Sequence, residues 1–143
     1  MIKQKSGPKG VQYMRHALLG LIAGIVLFGS PVWAHHSFSA EYDAAKPVNL
    51  TGTVTKVEWM NPHTYFYVDV KDEATGQVAN WAAEMGSPNA LTREGWNRNT
   101  LKIGMKVSFD GTRAKDGSYK VNARNVNVDG KKLGAASSQG VTP

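Results

Sequence analysis

The segment that most constrains the fold is residues 63–70, His-Thr-Tyr-Phe-Tyr-Val-Asp-Val, bracketed by Met60-Asn61-Pro62 and by the polar run Lys71-Asp-Glu-Ala-Thr-Gly76. Side chains of a strand point alternately to its two faces, so Thr64, Phe66, Val68 and Val70 share one face, and His63, Tyr65, Tyr67 and Asp69 the other. Aromatic and β-branched residues suit a half-buried pleated surface, and the flanking residues are turn formers. A helix would scatter both sets around its axis. The segment is therefore a strand, and it needs neighbours.

The same period recurs on both sides. Val48, Leu50, Gly52 and Val54 alternate with Asn49, Thr51, Thr53 and Thr55, while Val57 and Trp59 fall on the opposite parity. The first strand must then switch face near Lys56 through a bulge or bend. Residues 77–85, with Ala79, Trp81 and Ala83 against Asn80 and Glu84, form a third strand in a hairpin with the second. Keeping apolar residues together pairs Phe66 with Trp81, which sets His63 opposite Glu84 on the outer face. Met105, Val107 and Phe109 mark a fourth strand; Tyr119, Val121 and Ala123, with Val126 and Val128 on a shifted parity, mark a fifth. Between the third and fourth, Ser87-Pro88 opens a short helix, with Ser as cap, Pro in the first turn, Leu91 inside and Gly95 placed to end it.

Three strands, a short helix and two strands is the order of an OB-type barrel, and closure removes the exposed edges that short strands would otherwise leave. The expected fold is mainly β: a small five-stranded OB-like barrel over residues 48–129, with one short helix between strands 3 and 4. An open sandwich has the same element order. Residues 35–47 show no sustained period and end at Pro47, so an extended N-terminal arm is expected there. Residues 130–143 are rich in Gly, Ala and Ser with few large apolar groups, the composition of a disordered tail.

Residues 1–34 carry the three parts of a cleavable secretory signal peptide. Lys3, Lys5, Lys9 and Arg15 form a basic start, residues 17–29 an apolar centre, and Val32-Trp33-Ala34 a small-residue cleavage site after the helix-breaking Ser30-Pro31. The apolar centre falls short of the ~20 residues that span a bilayer, so no stable membrane anchor is expected after cleavage. Cleavage after Ala34 makes the protein periplasmic or secreted. It also removes four of the 17 basic residues and none of the 11 acidic ones, leaving a net charge of +2. That density, in an exported domain, argues against a nucleic-acid partner. The chain has no cysteine, so neither a disulfide nor a thiolate metal site contributes.

The mature region resembles a family of small exported bacterial proteins of unknown function whose chains open His-His-Ser-Phe and carry an Asn-Pro-His segment. The likeness rests on His35-His36-Ser37-Phe38, Leu50-Thr-Gly-Thr-Val54, Glu58-Trp59, Asn61-Pro62-His63, Gly86-Ser-Pro-Asn89 and Arg113-Ala-Lys-Asp-Gly117, and covers nearly all of residues 35–130. It implies periplasmic export and a small barrel, and supplies no activity.

Cleavage after Ala34 would make His35 and His36 the first two residues. An N-terminal histidine offers its α-amine and its imidazole Nδ1 to one ion, and nitrogen ligands of this kind favour Cu(II) among first-row metals. A third nitrogen from His63 would complete a T-shaped set similar to the histidine brace of copper-dependent polysaccharide oxygenases. Glu84, beside His63, would be a ligand or an orienting partner. The candidate metal ligands are thus His35, His63, His36 and Glu84, with copper as the candidate cofactor. The plainer readings are that the terminal histidines are tolerated polar residues, that His63 hydrogen-bonds the turn backbone, and that His63 with Glu84 is a surface ion pair. Glu58, Trp59, Tyr65 and Tyr67 either line a binding face or cover the sheet.

Catalytic patterns are missing. No Gly-x-Ser-x-Gly elbow, cysteine nucleophile, phosphate loop or dinucleotide fingerprint occurs, and Asp72-Glu73, Asp110-Gly111 and Asp116-Gly117 read as turns. The expected function is a non-enzymatic periplasmic binding module for copper or another divalent metal. The alternative is a metal-free adaptor that binds an unidentified periplasmic protein through the barrel face and the arm. Intact-mass measurement of protein exported by a bacterial host is expected to give a chain starting at His35; a start more than a residue or two away removes the terminal chelate.

Overall fold

The computed structural model describes residues 38–137. The expected signal peptide, His35 and His36 lie outside the described residues. The described part is mainly β, with six strands and two short helices: α1 (Phe38–Glu41), β1 (Tyr42–Glu58), β2 (Tyr65–Lys71), β3 (Val78–Glu84), α2 (Pro88–Arg93), β4 (Lys106–Ala114), β5 (Lys120–Val128) and β6 (Lys131–Gly134). No helix among the described residues is long and apolar enough to cross a membrane.

Neighbouring strands pair in the order β3-β2-β1-β4-β5-β6, and β3 pairs also with β5. The β3–β5 contact is parallel, through Ala82↔Lys120, Ala83↔Val121 and Glu84↔Asn122, whereas the other pairings are antiparallel. Hydrogen bonds therefore run in a closed ring through β1, β2, β3, β5 and β4. The parity changes in the sequence have their counterparts in the ladder. The β1–β2 register shifts between Val54 and Lys56, and the β4–β5 register shifts between Asp110↔Asn125 and Gly111↔Ala123.

Thr64, just before β2, and Phe66 and Val68 within it are fully buried, and Phe66 meets Phe109 edge-on at 5.2 Å between ring centroids, whereas Val70 is half-buried and Tyr119, expected beside Val121 and Ala123, is exposed. Gly52 and Gly111 are glycines because strands close in on them; a Cβ at Gly52 would lie 2.3 Å from the Asp69 carbonyl oxygen. Ser87 caps α2, its hydroxyl accepting from Ala90 N, with Pro88 in the first turn, and Gly95 follows in the left-handed region at φ 89°. Leu91 and Trp96 bury from this side into the common core.

Three expectations need correction. The hairpin register is two residues along from the expected one: Val68 faces Trp81, Phe66 faces Ala83, and Glu84 therefore faces Tyr65 rather than His63. A two-residue slip keeps every side chain on its own face, so the alternation cannot tell the two registers apart. The arm is not extended throughout, because residues 38–41 are helical, and its extended part already belongs to β1, which begins at Tyr42, whose side chain is 2% exposed. The tail is not free from residue 130. There a sixth strand pairs with β5, Leu133 is 6% exposed, and the indole Nε1 of Trp96 donates to Gly134 O at 2.7 Å. Residues 138–143 lie outside the described residues.

The buried position of Leu133 has a measurable consequence. Leu133→Ala is expected to lower stability by about 2–5 kcal/mol in urea melts, whereas a side chain in a free tail would give a change within about 0.5 kcal/mol.

Candidate functional site

The site is built around one buried carboxylate. Glu84 ends β3, and its pairing with Tyr65 sets the two side chains next to each other on the face turned away from the core. The parallel β3–β5 pairing brings Lys120 to the same place. Tyr42, at the start of β1, arrives from the N-terminal segment and covers the group. Both phenols donate to Glu84 Oε2 at 2.7 Å, and Lys120 Nζ lies 3.3 Å from the same oxygen. The other oxygen, Oε1, faces His63 Nδ1 at 3.6 Å. Glu84 is 6% exposed.

Further contacts hold the covering segment down. Lys120 also donates to Glu41 Oε1, and its ammonium lies 5.6 Å from the ring centroids of both Tyr42 and Tyr65. Phe38 stacks on Tyr42 at 5.6 Å between centroids. The backbone N–H of Lys115 donates to Glu41 O at 2.9 Å, and its Nζ to Ser39 O at 2.6 Å. Tyr67, two residues along the same face, donates to Glu58, which is also paired with Lys56.

The electrostatics are self-consistent. Burial pushes the Glu84 carboxyl up, but hydrogen bonds from Tyr42 and Tyr65, with the charges of Lys120 and His63, outweigh it and hold the group below the usual carboxylate range. Burial and the adjacent Glu84 carboxylate raise the Tyr42 and Tyr65 phenols well above their ordinary value, so both stay protonated as donors. Burial pulls the Lys120 ammonium down, and Glu41 and Glu84 more than restore it. A buried carboxylate needs this many partners to be tolerated at all.

His63 stands at the edge of the cluster, about one-third exposed, in the connection that leads into β2. Its Nδ1 lies 3.2 Å from Met85 O. A carbonyl oxygen only accepts, so Nδ1 carries the proton in this contact, and in the neutral ring the lone pair belongs to Nε2. This is the arrangement in which an imidazole is oriented as a nitrogen ligand.

Of the four sequence-derived metal candidates, the structure brings His63 and Glu84 together, although the residue paired opposite Glu84 is Tyr65. His35 and His36 lie outside the described residues. Among the described residues, no group of three or more His, Asp or Glu side chains is gathered as a metal site. Sequence reading missed Tyr42, Lys120 and Glu41. Tyr65 had a signal, since the outer-face set included it, but Tyr42 and Lys120 arrive from opposite ends of the chain with no local pattern to mark them.

A separate groove of about 730 Å³ lies beside the β2–β3 turn, with Leu50, Val70 and Trp81 among its lining residues and the exposed Val78 and Tyr119 at its margin. None of the Glu84 cluster lines it.

Residues 23–123 match the DUF6152 family, described as a family of unknown function. The chain belongs to the DUF6152 family. The match takes in every member of the Glu84 cluster and stops within β5, before β6. No curated protein matches the chain.

The ionisation states of the cluster give this DUF6152 domain a defined pH window. The depressed Glu84 carboxyl contributes stability that is present above its ordinary value of 4.5 and is lost as pH falls through its lower folded value. The raised phenols contribute stability that is present below 10.0 and is lost above it. Thermal melts from about pH 6 down to about pH 3 are expected to show the parent losing more stability than Glu84→Gln. Parallel curves would mean that the carboxylate is not held in its charged form by these partners.

Proposed function

We propose that this DUF6152 protein is an exported, non-enzymatic binding module for a divalent metal ion, copper foremost, with His63 Nε2 as one ligand. The observation that carries the reading is the His63 Nδ1 contact to Met85 O, backed by Glu84, because it leaves Nε2 as the nitrogen free to coordinate. Glu84 acts in this reading as the orienting partner rather than as a ligand, since its Oε2 is already engaged by Tyr42, Tyr65 and Lys120. The remaining nitrogens are those of the processed terminus: the α-amine and ring of His35, with His36 next to it. Nitrogen donors and the lack of any thiolate favour Cu(II) over the harder divalent ions.

The same proposal reads the ring of strands as an OB-like barrel. The supports are the order β1-β2-β3-β5-β4 around the ring, the parallel β3–β5 closure and the helix between β3 and β4. It takes residues 1–34 as a signal peptide removed after Ala34, which puts the protein in the periplasm or outside the cell. A second reading, a metal-free adaptor, is favoured by the groove near Val78 and Tyr119, which are 61% and 56% exposed and would suit an apolar side chain of a periplasmic partner protein.

Titration of the processed protein with Cu(II) and Zn(II) separates the two. Stoichiometric Cu(II) binding is expected to weaken about equally severely with His63→Ala and with one residue added before His35, and to fall on acidification because nitrogen ligands must be deprotonated to bind. His36→Ala is expected to matter less. Binding that survives the added residue and vanishes with His36→Ala would replace the terminal chelate by an internal site, and no binding in any variant would leave the adaptor.

A further inference from the structure

We infer that an extended peptide segment of a partner protein enters the groove beside the β2–β3 turn as an added strand, pairing with the backbone of Asn49 and Thr51 on the open edge of β1. The inference rests on the adaptor reading above, which it deepens, and needs no metal. Along one edge β1 pairs with β4 continuously from Pro47 to Thr53, but along the other β2 joins it only at Thr53, opposite Asp69. Were that ladder continued, Thr51 would face Lys71. It stops instead, and the groove of about 730 Å³ fills the gap, with Asn49, Leu50 and Thr51 on one wall and Val70 and Lys71 on the other.

The direction of the backbone groups follows from the neighbouring hydrogen bonds. In a strand, the N–H and C=O of one residue point to one edge and those of the next residue to the other. Val54 N donates to Met105 O at 2.9 Å and Val54 O accepts from Gly104 N at 2.8 Å, so Val54 faces the β4 side. Gly52, Leu50 and Val48 then face β4 as well, and Thr53, Thr51 and Asn49 face away from it. Thr53 finds β2 there; among the described residues, no strand pairs with Thr51 or Asn49 on that edge. On the opposite wall, Asp72 N donates to Gln77 O at 2.8 Å, which turns the even-numbered residues of β2 toward β3 and the Lys71 N–H and C=O toward the groove. Strand backbone without a strand partner therefore faces the groove from both walls.

Proline and lysine commonly close a sheet edge to unwanted strands. Pro47 has the parity of Asn49 and Thr51, so its missing N–H falls on the open edge, where it costs the β4 ladder nothing, and Lys46 precedes it. The stretch from Asn49 to Thr51 has no such guard. Beside it, Leu50, Val70 and Trp81 offer an apolar surface to one side chain of an incoming strand, the combination in which main-chain bonds supply affinity and a side-chain pocket supplies specificity. At the rim Asp72 and Glu73 outnumber Lys71, so a basic residue next to the apolar one completes the charge match. A groove with two walls admits a single strand. The edge of a folded sheet brings its own neighbour ~4.8 Å away, where the hairpin stands, which favours a peptide over a second copy of this chain.

The test titrates the exported, processed protein with acetylated and amidated hexapeptides Thr-X-Thr-X-Lys-Thr, X being Val, Leu or Phe, followed by calorimetry and amide hydrogen exchange. At least one peptide is expected to bind and to slow exchange at Asn49 and Thr51. Thr51→Pro, which removes an N–H that the ring does not use, is expected to weaken binding about tenfold, and Thr51→Val, which keeps it, to bind as the parent does. Peptides methylated on alternate backbone nitrogens test the same pairing on the unmutated protein and are expected to bind about tenfold more weakly in one of the two alternations. Peptides that bind without slowing exchange at Asn49 and Thr51, and are indifferent to methylation, would overturn the added strand while the adaptor reading survives on side-chain contacts. A dimer in sedimentation that Thr51→Pro abolishes would give the edge to a second copy and overturn the inference too. No binding by any of the peptides removes the inference and the adaptor's use of this groove together.

Discussion

The parallel contact between β3 and β5 is the constraint on which most of this structure depends. Only three residue pairs make it, Ala82↔Lys120, Ala83↔Val121 and Glu84↔Asn122, with Ala82 N also donating to Tyr119 O at 2.9 Å. Without it β3 would be an edge strand, a row of unpaired amides open to association with another chain. β3 occupies only the first part of that edge of β5. The remainder, from Asn125 to Val128, is taken by β6. The short closing strand therefore explains why the C-terminal segment is ordered: two partial partners, one on each half of β5, leave neither half exposed.

The same contact explains the chemistry of the outer face. Parallel pairing at Ala82↔Lys120 puts an ammonium within 3.3 Å of a carboxylate that antiparallel pairing with β2 has already placed beside Tyr65. Burying that carboxylate carries a large desolvation cost, which two phenols and one ammonium offset and a single ion pair would not. Tyr42 contributes both a donor and the cover that makes the site dry. The N-terminal segment is thus part of the electrostatic solution, and its contacts with Lys115 and Lys120 hold the cover in place.

Legibility from sequence followed the range of the interactions. The alternation of residues 63–70, the parity breaks near Lys56 and between Ala123 and Val126, and the Ser87-Pro88 helix start are local signals, and each has its structural counterpart. The hairpin register was not legible, because Phe66↔Trp81 and Val68↔Trp81 satisfy the same alternation. Neither was β6. Lys-Lys-Leu-Gly has one large apolar residue, and what orders it is the unpaired half of β5 and the Trp96 indole rather than its own composition. The expected register sets His63 opposite Glu84 and is two residues off; the observed one pairs Glu84 with Tyr65 and still leaves His63 Nδ1 3.6 Å from Glu84 Oε1. The rest of the cluster was not legible, since Tyr42 and Lys120 are 78 residues apart and meet only after the ring closes.

The C-terminal segment also bears on the orientation of His63. The carbonyl that accepts from its Nδ1 belongs to Met85, just beyond β3, where the ladder continues by Met85 N to Thr64 O at 2.8 Å and Thr64 N to Gly86 O at 3.0 Å. Gly86 N in turn donates to Ala135 O at 2.8 Å, and Ala135 N to Arg124 O at 2.8 Å. The space is so tight that a Cβ on Gly86 would lie 2.2 Å from Ala136 O, so only glycine lets the two backbones approach. Met85 is thus held between the residue that follows His63 and a segment anchored to β5. Freedom at residues 135–136 would loosen Gly86, then the Met85 carbonyl, and with it the hydrogen bond that directs Nε2 outward. The segment at residues 135–136, outside the family match, therefore works on the same imidazole as Glu84 does, from the backbone side.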